Sequence, residues 1–124
     1  MSDINDLVTE IIAFRDARDW GQFHTLRHLA AGLSIEAAEL QEIMLWRADS
    51  EVEALLTDPT QKLRLQREVA DVLIFALMIC HQSGLDPVQA IREKLAENAS
   101  KYPAELARGR ATKYTDLDPT LPRE

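Results

Sequence analysis

An all-α bundle with four main helices is the fold this chain predicts. Apolar residues recur at helical spacing along most of its 124 residues, while strand-type alternation is nearly absent. Four Gly and five Pro leave too little turn chemistry for a many-stranded sandwich or barrel. At 46% hydrophobic and 28% charged residues the composition is globular, too apolar for disorder. A chain of this length can bury one modest core, and an assembly of copies would bury more.

The first helix is expected from about Ile4 to Arg18, with Ile4, Leu7, Ile11 and Phe14 on one face. Asp19 to His24 then reads as a loop, broken by Gly21 and crowded with Trp20, Phe23 and His24. Thr25 is a suitable N-cap for a second helix running to Arg47. Its core stripe is Leu26, Leu29, Ala30, Leu33, Ala37, Leu40 and Met44, and Ile35 and Ile43 begin a second apolar stripe. That second stripe suggests cover by another helix, and so a homo-oligomeric bundle. Ala48 to Asp58 is a polar connector in which Val52, Leu55 and Leu56 allow a short helical turn.

Asp58-Pro59 is a start signal, with Asp as N-cap and Pro at the first helical position; the third helix runs from it to about Ser83 and stops at Gly84. Asp86-Pro87 repeats the signal for a fourth helix, Pro87 to about Lys101, closed by Pro103. The remainder, with Pro119 and Pro122, is expected to be extended and partly mobile. Residues 1–110 therefore read as one domain and 111–124 as a C-terminal tail.

Charge excludes several functions. The 14 Lys and Arg against 21 Asp and Glu give a formal charge of −7, and no basic cluster interrupts the acidity. Polymeric nucleic acid and anionic membranes are disfavoured as partners. Cys80 is the single cysteine, which excludes a disulfide framework and a thiolate zinc site and fits a cytoplasmic protein. The start, Met-Ser-Asp-Ile-Asn-Asp-Leu, lacks the pattern of a signal peptide, and the longest apolar stretch is too short to span a bilayer.

The acids are not evenly spread. Glu36, Glu39 and Glu42 recur every third residue on the second helix, with Glu36 about 60° from the centre of the core stripe. A solvated acidic face would have this pattern too. The third helix adds weight: between Val69 and Cys80 the one residue that is not apolar is Asp71, and Glu68 lies one turn earlier. An unpaired carboxylate in apolar surroundings is expensive. Either ion pairs with Arg27, Arg64 or Arg67 neutralise the acids, or a divalent cation does. All-oxygen ligation suits Mg2+ or Mn2+. A di-iron carboxylate site would need Glu-x-x-His pairs, and none of His24, His28 or His81 has Glu three residues before it. Mg2+ commonly keeps positions for water and phosphate, so a phosphorylated substrate follows.

The fourth helix carries Lys94, Asn98 and Lys101 on one stripe, with Tyr102 next. Two cations flanking an amide could hold phosphate and a sugar or base edge, or could simply form a solvated face. Trp20, Phe23, His24 and Trp46 offer stacking surfaces, though aromatic residues in this number also serve cores and interfaces. Trp46 falls about 140° from the core stripe on a continuous helix, beside His28 and Ile35.

Glu36-Ala-Ala-Glu39-Leu-Gln-Glu42 followed by Glu68-Val-Ala-Asp71 resembles the ExxE…ExxD signature of the MazG-like all-α nucleoside triphosphate pyrophosphohydrolases. Arg18-Asp-Trp20 to His24, Leu40 to Arg47, Leu65 to Phe75, Lys94…Asn98…Lys101-Tyr102-Pro103 and Lys113-Tyr114 further resemble the dCTP pyrophosphatase branch. ExxE alone is weak; the ordered set is specific, and it covers most of residues 14–115. The chain departs where relatives often have Phe-His-x-Pro-Arg-Asn, reading Phe23-His24-Thr25-Leu26-Arg27-His28 instead.

The resemblance implies Mg2+-dependent hydrolysis of a nucleoside triphosphate, dCTP or a modified dCTP, to the monophosphate and pyrophosphate. It makes Glu36, Glu39, Glu68 and Asp71 metal ligands, with Mn2+ a possible substitute ion. Trp20, His24 and Trp46 would line the base pocket, and Lys94, Asn98, Lys101 and Tyr102 would meet phosphate and sugar. It also implies a dimer or tetramer with shared sites. Water would attack the α-phosphorus, with Glu36 or Glu39 the candidate for taking its proton. A related activity on another nucleotide (dUTP, a damaged dNTP or a phosphoribosyl nucleotide) and a non-catalytic helical module stay open beside this reading.

Overall fold

The computed structural model describes residues 3–117, and all regular structure among them is helical. They divide after Asp86 into two compact units.

In the first unit, α1 spans Ile4–Asp16 and opens with a capping box in which Asp3 and Asp6 each accept the other's backbone N–H. It ends two residues before the expected Arg18, because Asp19 takes a left-handed backbone (φ 52°). A 3-10 turn, Gly21–Phe23, follows. Helix α2, Leu26–Glu42, is capped by the Thr25 hydroxyl, which accepts the His28 N–H.

Helix α2 stops well short of the expected Arg47. The apolar pattern continues to Met44, but the backbone tightens: Met44 N–H donates to Gln41 O and Arg47 N–H to Met44 O. Trp46 then turns left-handed at φ 63°. Trp46 is thus a turn residue and not, as continuous helix predicts, a side chain on the far face of α2. Ile43 is also reassigned. It is 1% exposed and belongs to the core with Leu29, Leu55 and Met78, whereas Ile35 lies in solvent.

The polar connector contains a short helix, α3, Asp49–Leu55, with Asp49 and Glu51 in the first turn where the helix dipole favours them. Helix α4, Pro59–Gln82, begins as predicted: the Asp58 carboxylate accepts the Thr60 N–H at 2.9 Å and Pro59 fills the first position. Gly84 (φ 68°) follows its cap, Ser83. Within the single chain α4 is buried over only part of its circumference, since Val69, Leu73 and Ile74 are exposed.

The principal contact of this unit is between α2 and α4, with α1 also against α4. Gly32 makes it close: a Cβ there would lie 2.4 Å from Phe75 Cε1. Gly32 faces Phe75, and one turn along Glu36 feels the charges of Asp71 and Glu68. Ascending numbers on α2 meet descending numbers on α4, so the pair is antiparallel.

In the second unit α5 spans Pro87–Lys101, as predicted. The expected extended tail instead holds a four-residue helix, α6, Ala104–Ala107, and a 3-10 turn, Tyr114–Asp116. Pro119 and Pro122 lie outside the described residues. Among the described residues no single helix is long and apolar enough to cross a membrane.

Candidate metal centre

The antiparallel α2–α4 pair assembles the acids. Glu36 and Glu39 are one turn apart on α2, and Glu68 approaches from α4. Each offers one carboxylate oxygen, and the three oxygens lie within 4.8 Å of one another. Asp71 stands outside that tight group, yet its charge acts on both Glu36 and Glu68. Glu42, the third acid of the α2 series, is not in the group.

Three carboxylates this close cannot all ionise freely. Partial burial, followed by hydrogen bonding to Glu39 and the charges of Glu39, Asp71 and Glu68, pushes the Glu36 carboxyl up to about 7. Glu68 is raised for similar reasons, first by burial and then by the charges of Glu39 and Asp71, with Arg64 a small opposing influence. Among the described residues no ion pair joins Arg27, Arg64 or Arg67 to these acids, so the ion-pairing alternative lacks support.

Two oxygens mark what the cluster lacks. Glu36 Oε2 and Glu68 Oε2 are both buried without a hydrogen-bond partner. Such atoms are costly unless a cation or a proton meets them. An all-carboxylate set with unpartnered, converging oxygens fits a hard divalent cation.

The aromatic candidates divide. Trp20 and His24 come together, ring centroids 6.4 Å apart, and His24 Nδ1 is buried without a partner. Trp46 is 94% exposed, and among the described residues no ring contact reaches it. His28 is engaged locally, its Nδ1 2.7 Å from Thr25 Oγ1.

In the second unit Lys94 and Lys101 converge on a residue the sequence reading did not single out. Glu97 pairs with Lys101 at 2.8 Å and Lys94 at 3.3 Å. These bonds, Lys101 first, hold Glu97 below the ordinary carboxylate range, and the same contact raises Lys101. A signal was available: Glu four residues before Lys on a helix is the favourable pairing order. Tyr102 meets Tyr114 edge to face at 6.0 Å, and Lys101 lies 4.9 Å from the Tyr114 ring centre. Asn98 is half-buried and accepts the Tyr102 N–H through its backbone carbonyl.

Comparison with known proteins places the chain in a family. Residues 32–117, which carry all four acids, match the model of the MazG-like family. The chain is 38% identical to mouse dCTP pyrophosphatase 1 over 117 residues, covering 94% of this chain and 67% of that protein. The human dCTP pyrophosphatase 1 is 37% identical over the same length, again covering 94% of this chain and 67% of the relative. A crystal structure of a pyrophosphatase from Archaeoglobus fulgidus superposes with a TM-score of 0.75 at 36% identity, covering 83% of this chain and 94% of that one. Shared helices, an ordered set of acids and a matching family model lead to one conclusion: this chain belongs to the MazG-like family.

Proposed function

We propose that this protein is a Mg2+-dependent nucleoside triphosphate pyrophosphohydrolase that converts dCTP, or a modified dCTP, to the monophosphate and pyrophosphate. The observation that carries the chemistry is the three-carboxylate cluster at the α2–α4 contact, with two buried oxygens that no protein group satisfies. The dCTP pyrophosphatase relatives, matched over 94% of the chain, support the substrate and a role in nucleotide-pool housekeeping.

Glu36, Glu39 and Glu68 would hold Mg2+, or Mn2+ in its place, with Asp71 completing the set. When bound, the ion supplies charge neutralisation for the triphosphate and a lowered pKa for water. The chain's own residues do the rest. Glu39, the exposed member, is open to solvent water, so the Glu36–Glu39 pair would take the proton of the attacking water. Trp20 and His24 would take the base, joined by Trp46. Lys94, Asn98, Lys101 and Tyr102 would meet phosphate and sugar, and the Glu97 contacts keep both ammonium groups on one stripe.

Residues 1–110 would form the catalytic domain and 111–124 a tail. The enzyme would act in the cytoplasm as a homodimer or homotetramer, with no nucleic acid polymer or membrane as partner. Exposed Val69, Leu73 and Ile74 favour assembly.

Pyrophosphate release across a panel of dNTPs and NTPs with Mg2+ tests the assignment. The expected result is fastest turnover of dCTP or a modified dCTP, lost on Glu39→Gln or Asp71→Asn with helical circular dichroism retained. Near-normal turnover in both variants would defeat the metal-site assignment. Preference for dUTP or a damaged dNTP would keep the chemistry and change the substrate.

A further inference from the structure

We propose that Arg18 is the positioning residue for Trp20, holding the indole in the orientation a nucleobase would stack on. The proposal rests on the reading of Trp20 and His24 as base contacts. It concerns a residue that faces neither metal nor phosphate chemistry in that reading.

The segment between α1 and α2 is built to fix one side chain. Its backbone folds onto the end of α1: the N–H groups of Arg18 and Trp20 both donate to Arg15 O, and that of Asp19 donates to Asp16 O. Phe23 N–H donates to Trp20 O, and His24 N–H to Gly21 O. Asp19, in its left-handed conformation, is held by Gln22, whose amide donates to both Asp19 O and Oδ2. Backbone bonds therefore place the Trp20 Cα, but they leave its side-chain torsions open.

Arg18 closes them. Its guanidinium carbon lies 3.7 Å from the Phe14 ring centre, and its Nη1 donates to Phe14 O at 2.9 Å. Phe14 in turn meets Trp20 edge to face at 5.8 Å and 73°, and the guanidinium is 5.9 Å from the indole. A planar cation thus stacks on Phe14 and comes within cation–π range of Trp20, the member of the aromatic pair that leads to His24. Phe14 and Trp20 are both half exposed, so beyond Phe14 and His24 little packing holds the indole if the cation is removed.

The test combines kinetics with a direct report on Trp20. In a Trp46→Phe background Trp20 is the sole tryptophan. There, Arg18→Met is expected to raise acrylamide quenching of the indole and lower its emission anisotropy. In the otherwise unaltered protein, Arg18→Met is expected to raise KM for dCTP about three- to fivefold, the size of an exposed cation–π contact, with kcat within about twofold. Arg18→Lys keeps the charge without the planar fork and should recover only part of both effects. Unchanged Trp20 quenching overturns the proposal, as does loosened Trp20 with unaltered KM. A kcat loss that tracks lost helicity also overturns it, because Arg18 would then act only on folding. Trp20→Ala separates the two levels. If it raises KM while Arg18→Met does not, this proposal alone fails; if Trp20→Ala leaves KM unaltered, the base-contact reading fails and takes the proposal with it.

Discussion

Protonation of Glu36 ties the candidate site to pH. In the unfolded chain this carboxyl titrates near 4.5, and in the folded chain it holds its proton up to about 7. Below the lower value both states are protonated and the group contributes nothing to stability. Between the two values the unfolded chain releases a proton that the folded chain keeps, so stability falls as pH rises. Above 7 the penalty is constant. Glu68, also raised, adds to the same slope. Urea midpoints of the metal-free protein should therefore fall from pH 5 to pH 7.5 relative to those of Glu36→Gln. Saturating Mg2+ should stabilise the unaltered protein most at the upper end, where the cluster is ionised. Parallel pH profiles for the two proteins would remove Glu36 as the source. The sequence pointed to Asp71 as the buried acid because apolar residues flank it along α4. Asp71 is half-buried, and burial also acts on Glu36 and Glu68, because what buries a helix residue is the neighbouring helix, which a single segment does not display.

At the scale of elements, the separation of α2 and α4 governs how closely Glu36 and Glu39 approach Glu68. Gly32, one turn before Glu36, lets the Phe75 ring sit where a methyl group would stand. Gly32→Ala should destabilise the fold by about 1–3 kcal/mol through overpacking and weaken Mg2+ binding in the same variant. Phe75→Leu placed on top of it should return part of both. Denaturant unfolding and calorimetric Mg2+ titration measure the two losses, and full Mg2+ affinity in Gly32→Ala would show that the acids tolerate a wider gap. Caps were the most legible elements: Thr25, Asp58-Pro59 and Gly84 act through local chemistry and mark boundaries that the structure keeps. Removing the Thr25 cap by Thr25→Ala should cost about 1 kcal/mol in a denaturant melt. The end of α2 was not legible. No Gly or Pro marks it, and a helical apolar pattern runs on through Met44 while the backbone has already tightened into i→i−3 bonds. The Gly32 contact was hidden for a related reason, since a mid-helix glycine carries no sign of the ring it admits. On α5 the sequence showed the cations but not the acid between them that holds both.

For the whole molecule, the exposed Val69, Leu73 and Ile74 on α4 are among the apolar side chains a single copy leaves uncovered. Light scattering at micromolar concentration should give a dimer or tetramer, and Leu73→Lys should shift the population toward monomer; a monomeric parent protein would defeat the assembly. The net charge of −7 is concentrated in part at Glu36, Glu39, Glu68 and Asp71, so acidity that disfavours polymeric polyanions still permits a small one through a cation. Trp46 carries a different kind of consequence. Its bulky side chain sits on a left-handed backbone, which costs about 1–2 kcal/mol, while 94% exposure returns almost no packing energy. Trp46→Asn, which accepts that conformation, should raise the thermal midpoint of the isolated chain. If the indole serves substrate, the same change should slow turnover. A laboratory selection for heat resistance alone would then discard this residue early, and the survivors would be sturdier and poorer catalysts.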